Sequence, residues 1–261
     1  MTDAIVAERL SKRYRRTTAL REVTLRVHSG EIYGLVGLNG AGKTTFLRVL
    51  TGLARPTSGT VRVLGEELPG GAARAADRTG SLIEAPAFYP FLTGRENLRE
   101  LLLLRCVRGK ADLTDRIESA LARVGLDGVQ RRRVGAYSQG MRQRLGIAAA
   151  LVADPELFVL DEPTNGLDPS GMHDVRQLLM ALRAEGATVI VSSHLLAELE
   201  TVCDRVGIIH HGSLIAEGSI SQILRRSDVP SGEETSGSLE RAFLAILGRA
   251  GSPDQPREVP Q

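Results

Sequence analysis

Gly37-Leu38-Asn39-Gly40-Ala41-Gly42-Lys43-Thr44, with Thr45 directly behind it, follows the pattern Gly-x-x-x-x-Gly-Lys-Thr, and its flanks decide how it is read. Ahead of it, Ile32 to Val36 is a short, mostly apolar run suited to a buried strand. Behind it, Phe46, Leu47, Val49, Leu50 and Leu53 recur at helical spacing, with Gly52 near the end. Strand, glycine-rich turn and helix in that order predict a phosphate-binding loop. Glycines let the backbone curl around an anion, and free amides at the helix start point at it. In such a loop Lys43 reaches the β- and γ-phosphates and the Thr44 hydroxyl holds Mg2+. The expected ligand is a nucleoside triphosphate.

A chain of 261 residues with 42% hydrophobic content can bury a proper core in one or two domains. Its 33 basic and 31 acidic residues leave a formal charge of +2, too balanced to suggest nucleic-acid binding by charge. Arg15-Arg16 and Arg131-Arg132-Arg133 are local basic runs of the kind found on solvated faces. Cys106 and Cys203 stand far apart without metal-ligand spacing, which fits inert thiols in a reducing compartment. No apolar run reaches the roughly 18 residues of a membrane-spanning helix, and the N-terminus has no signal-peptide core.

Along the chain, Val23, Leu25 and Val27 alternate with polar residues as in a half-buried strand, and Tyr14 falls in a polar link ahead of it. Gly59 to Leu64 reads as another strand, while residues 65–80 carry little signal. Thr93 with Glu96 is a capping-box pattern opening a helix, Leu113 to Val124 is a second, and Ser138 starts a third running to Ala153. Leu157-Phe158-Val159-Leu160 suits a buried parallel strand, as does Thr188 to Ser192; Val175 to Leu182 lies on a helix between them. Val206 to Ile209 and Leu214 to Ala216 predict a closing hairpin. A polar link at 226–238, an amphipathic helix at 239–248 and a disordered tail at 249–261 complete the chain.

The strand ending in Asp161-Glu162 narrows the chemistry. An aspartate at the end of a buried strand next to the loop strand can steady Mg2+. The carboxylate after it can orient and deprotonate an attacking water. Tyr137-Ser138-Gln139-Gly140-Met141 opens a helix and is weak evidence alone, because serine is a good cap. In this order and spacing it resembles the Leu-Ser-Gly-Gly-Gln signature of ATP-binding cassette proteins. Further positions agree: Asp168 in Gly166-Leu167-Asp168-Pro169, His194 after the strand Thr188 to Ser192, and Tyr14 where that family stacks an aromatic ring on adenine. The resemblance spans about residues 3–222.

It implies an α/β P-loop NTPase fold with a RecA-like core, an N-terminal antiparallel β-subdomain and an inserted α-helical signature subdomain at about 88–150, all within 1–225. It also implies Mg-dependent ATP hydrolysis, with Lys43, Glu162 and His194 catalytic. Ser138, Gln139, Gly140 and Met141 would bind the ATP of a second subunit, Asp168 would touch that subunit, and Thr44, Asp161 and Glu84 would face the metal. One loop and one signature per chain call for a pair, most simply a homodimer, seated on a separate membrane permease at the cytoplasmic face. Gln139 and Met141 depart from the common signature. So does Glu84, where the family usually has glutamine; a carboxylate is still a hard ligand for Mg2+. The stretch from Ser81 to Leu98 is similar to bacitracin-resistance and lantibiotic-immunity exporters, which implies export of a drug, peptide antibiotic or lipid. Soluble cassette ATPases acting on ribosomes or chromosomes are the alternative, but those carry two cassettes or a long coiled coil, and neither is present here.

Overall fold

The computed structural model describes residues 2–84, 87–105, 110–129, 131–226 and 237–250. In chain order the first half holds β1 (Asp3–Tyr14), β2 (Thr17–His28), β3 (Ile32–Val36), α1 (Lys43–Leu50), β4 (Ser58–Val63), β5 (Glu66–Glu67), α2 (Ala72–Asp77), β6 (Thr79–Leu82) and α3 (Gly94–Leu104). The second half holds α4 (Lys110–Arg123), α5 (Gln139–Leu151), β7 (Leu157–Asp161), α6 (Pro169–Ala184), β8 (Thr188–Ser193), α7 (Leu196–Glu200), β9 (Arg205–His210), β10 (Ser213–Ser219), α8 (Ile220–Arg226) and α9 (Ser238–Ala250).

The strands form two sheets. One is antiparallel and four-stranded, in the order β2-β1-β4-β5; the other is six-stranded, in the order β10-β9-β3-β8-β7-β6, parallel except for β10. The strands β3, β7 and β8 are buried at every residue, as a sheet covered on both faces requires. Their side chains alternate between two cores. Tyr33, Leu35, Leu157, Val159 and Ile190 face the antiparallel sheet and α1, while Val36, Phe158, Leu160, Val189 and Val191 face the helices on the other side. This is the mixed α/β architecture of a P-loop NTPase.

Asp161 does not sit on the strand next to the loop strand. β8 lies between β3 and β7, pairing with both, so Asp161 stands opposite Ser192 and Ser193 opposite Val36. Thr188 to Ser193 is as apolar and β-branched as its neighbours, and its insertion carries two serines to the sheet edge where the loop turns. β1 is the strand that periodicity misses. A bulge falls between Ala7 and Leu10, with Arg9 at φ 49°, so both apolar residues face the core across an interval of three. Tyr14 is the last residue of β1, not part of a link.

Thr93 caps α3 with the reciprocal Glu96 bonds of a capping box. Helices α2, α7 and α8 are too short for a periodic signal. The face of α9 carrying Leu239, Ala242 and Phe243 is buried against the body, and Ser238 at its start donates to Glu200 of α7. Cys203 is buried, and burial pushes its thiol pKa well up; Cys106 and the tail beyond 250 lie outside the described residues. Among the described residues no helix is long and apolar enough to cross a membrane.

Candidate nucleotide site

At the C-terminal end of the parallel strands a cavity of about 490 Å³ opens, floored by residues 38–45 and walled by Glu162, Asn165 and His194 on one side. Thr17, Thr18, Ala19 and Arg21 of β2 close the other side, together with His211 and Gly212 from the turn between β9 and β10. The loop is braced from behind by that turn: the Gly212 amide donates to the Ala41 carbonyl at 2.8 Å, and the Arg21 amide donates to the Gly212 carbonyl at 2.7 Å. Two glycines are fixed by this geometry. Gly42 has φ 114° and a Cβ there would lie 2.6 Å from the Ala19 carbonyl oxygen; a Cβ on Gly37 would lie 2.4 Å from that of Ile209. Helix α1 begins at Lys43, so the amides of its first turn face the cavity.

Lys43 is buried, yet its ammonium is not isolated. Nζ donates to the Gly37 carbonyl at 2.7 Å and lies 3.2 Å from Glu162 Oε1. The other carboxylate oxygen of Glu162 is joined to His194 Nδ1 at 2.6 Å. Glu162 thus bridges the lysine and the histidine across the mouth of the cavity. The Thr44 hydroxyl donates to Asp161 Oδ2 at 2.8 Å, and the Ser192 hydroxyl to Asp161 Oδ1 at 2.5 Å. Glu162 has a left-handed backbone, φ 48°, which a non-glycine residue holds only when its surroundings fix it. Its amide lies 3.0 Å from the Ser192 hydroxyl and 3.2 Å from the Ser192 carbonyl.

These residues suit Mg-ATP as a ligand. A lysine ammonium and the first-turn amides of α1 match a polyphosphate, and a threonine hydroxyl beside an aspartate supplies hard oxygens of the kind Mg2+ prefers. The pairing of Thr44 with Asp161 puts both oxygens at one place.

The remaining candidates fall elsewhere. Ser138 caps α5, accepting from the Met141 amide at 3.2 Å, and none of Ser138, Gln139, Gly140 and Met141 lines the cavity. Asp168 caps α6. Its Oδ1 accepts from the Gly171 amide at 3.0 Å and its Oδ2 from the Ser170 hydroxyl at 3.2 Å, which hold its carboxyl below the usual aspartate range. Tyr14 is 40% exposed, with Lys12 Nζ 4.6 Å from its ring centroid, and does not line the cavity. Glu84 lies in an exposed bend after β6 and is ion-paired with Arg48 of α1, also off the cavity. Sequence reasoning passes over Ser192, Arg21, Asn165, His211 and Gly212. Ser192 carries a local sign, a hydroxyl ending an apolar strand, and Asn165 follows Glu162 in the same loop; Arg21, His211 and Gly212 reach the cavity through pairings distant in sequence.

A family profile described as "ABC transporter" matches residues 20–165. The chain is 43% identical over 250 residues to the bacitracin transport ATP-binding protein BcrA of Enterococcus faecalis, covering 93% of this chain and 80% of that one. It is 39% identical over 210 residues to the lantibiotic transport ATP-binding protein SrtF of Streptococcus pyogenes, covering 80% of this chain and 88% of the relative. Among solved structures, an ATP-binding subunit of an ABC transporter superposes with a TM-score of 0.84 at 29% identity, covering 94% of this chain and 99% of that one. A dimeric bacterial ABC transporter cassette superposes with a TM-score of 0.77 at 26% identity, covering 82% and 98%. This chain belongs to the ABC transporter family, as an ATP-binding and ATP-hydrolysing subunit.

Proposed function

We propose that two copies of this chain close head to tail over two ATP molecules, on the cytoplasmic face of a membrane and against a separate permease, and so drive export of a peptide antibiotic or similar amphiphile. The observation that carries the pairing is the position of Ser138: it opens a helix whose first-turn amides suit an anion, yet it does not line its own chain's cavity. A second chain brings that helix end to the nucleotide. The solved dimeric cassette and the two antibiotic-transport relatives support the dimer and the cargo class respectively.

In the site so completed, Lys43 and the amides of Gly40, Ala41, Gly42, Thr44 and Thr45 bind the phosphates. Ser138 and the amides near Gly140 of the other copy bind the γ-phosphate from outside. Glu162 takes a proton from the water that attacks the γ-phosphorus, and His194 holds the Glu162 carboxylate in line. Thr44 and Asp161 would hold Mg2+, which would supply charge neutralisation for the phosphates. Tyr14 stacks on the adenine from the hairpin end beside Thr17, and Asp168 meets the other copy at the dimer seam.

Mixing two inactive variants tests the composite site. Lys43→Ala and Ser138→Arg should each be inactive alone, while an equimolar mixture recovers ATPase activity, because mixed dimers contain one site with both parts intact. A mixture as inactive as its components, with mixed dimers shown to form, would remove the head-to-tail arrangement.

Glu84 is proposed as the link between metal and permease, its carboxylate exchanging Arg48 for the Mg2+ site as the subunits close. Glu84→Ala should then raise the Mg2+ concentration needed for half-maximal turnover and uncouple ATP use from transport. Unchanged values for both would end that role.

A further inference from the structure

The carbonyl side of the Glu162 peptide is held by a residue of the signature helix. Gln143, one turn beyond Ser138 on α5, reaches the loop after β7, where its Nε2 donates to the Glu162 carbonyl at 3.2 Å and to the Pro163 carbonyl at 3.1 Å. The same face of α5 seats the rest of that loop. A Cβ on Gly166 would lie 2.7 Å from Gln139 Nε2, and a Cβ on Gly140 would lie 3.3 Å from the Gly166 carbonyl oxygen. The stretch from Glu162 to Gly166 therefore rests on the first turns of α5.

Glu162 needs such support. Its left-handed backbone is unfavourable for a side chain with a Cβ, and its direction relative to the cavity follows from that conformation. Ser192 fixes the amide end of the residue; at the carbonyl end the Asn165 amide donates from within the loop, and Gln143 ties that carbonyl and the next one, of Pro163, to α5. Without Gln143 the Glu162 carbonyl keeps only the Asn165 amide of its own loop, at 3.1 Å, the loop loses its hydrogen bonds to α5, and the carboxylate loses its aim at Lys43 and His194.

We infer that Gln143 is a positioning residue: from the helix that Ser138 opens, it holds the backbone of Glu162 in the one conformation that aims the general base, so a shift of α5 on a partner's nucleotide is felt at this chain's own catalytic carboxylate. This rests on the reading of Glu162 as the base and of Ser138 as a contact made across the dimer. The amide is suited to the task because it donates twice and adds no charge that would compete for Glu162 or the phosphates.

The test is steady-state ATPase of the full-length dimer with Gln143→Leu, Gln143→Lys and Gln143→Glu beside Glu162→Gln. Gln143→Leu keeps the bulk and loses the donors, and should lower kcat by about tenfold or more with KM for ATP within about twofold. Gln143→Lys, which restores a donor to a carbonyl, should regain most of kcat. Gln143→Glu is ionised at neutral pH and has no donor to offer, so its kcat should fall with that of Gln143→Leu. A kcat within twofold for Gln143→Leu, with Glu162→Gln inactive, would overturn the inference and leave the base assignment standing. A parallel loss of ATP affinity and melting temperature in all three Gln143 variants would overturn it as well, by marking a purely structural role. Should Gln143→Leu fail to fold, Gln143→Lys against Gln143→Glu decides: equal kcat for the donor and the non-donor would overturn the inference. Active Glu162→Gln would remove the base assignment and this inference with it.

Discussion

Glu162→Gln is expected to lower ATP turnover by about 10²–10⁴-fold while ATP binding is kept or strengthened. The substitution is nearly isosteric, and the backbone that aims the side chain is fixed through its own amide and carbonyl rather than through the carboxylate. The carbonyl oxygen of the new amide can still face Lys43, 3.2 Å from the present Oε1, and its nitrogen can face His194 Nδ1. What disappears, on the proposed role of Glu162, is the capacity to take a proton from water. A negative charge beside the incoming γ-phosphate disappears too, which removes a repulsion and favours the bound state. The variant should run as an ATP-stabilised dimer on size exclusion, at nucleotide concentrations where the unaltered protein turns over and separates. In cells carrying the matching permease it should abolish any resistance to peptide antibiotics that the unaltered subunit confers. Turnover within a few-fold of the unaltered protein would place the base elsewhere in the cavity.

The parts of this site that the sequence discloses are those built from contiguous residues. The strand, loop and helix around Gly37 to Thr45 are local, and so is the strand that delivers Asp161 and Glu162, because a phosphate cradle and a buried parallel strand each need a short run of particular residues. Thr93 and Glu96 could be read as a cap for the same reason. β1 could not, since the bulge at Arg9 breaks the alternation on which strand reading depends. The place of β8 between β3 and β7 is a matter of sheet order, which no residue of Thr188 to Ser193 encodes alone. The same limit hides each side-chain pairing across the site. Gln143 and Glu162 meet only because α5 packs beside the end of β7, and Arg48 meets Glu84 only because α1 lies next to the bend after β6. Tyr14 shows the converse: a position recognised from sequence order lies one strand end away from the cavity wall formed by Thr17 and Thr18.

Lys43→Ala is expected to weaken ATP binding by roughly 30-fold or more, from the ~2–5 kcal/mol that truncating one member of a buried charge pair costs. The side chain is 6% exposed, so its ammonium has already lost its water, and the Gly37 carbonyl and Glu162 compensate for that loss. Of its three N–H groups one is donated to the Gly37 carbonyl, while Glu162 is held as an ion pair, which leaves a donor for a phosphate oxygen. The phosphate therefore meets a donor that is ordered and desolvated beforehand, which is the condition under which a charge-assisted bond contributes most. Removing the ammonium does more than delete that bond. Glu162 is left with His194 as its remaining partner, and its carboxylate then faces the γ-phosphate with no cation between them. The two substitutions should for that reason be non-additive: Glu162→Gln should raise ATP affinity more in the Lys43→Ala background than in the unaltered protein, because only there is the carboxylate unscreened. Equilibrium binding of a fluorescent ATP analogue to the four proteins of this cycle measures the coupling. An affinity for Lys43→Ala within threefold of the unaltered protein, or strict additivity in the cycle, would mean that Lys43 and Glu162 act on the nucleotide independently and that their 3.2 Å approach has no part in holding the phosphate.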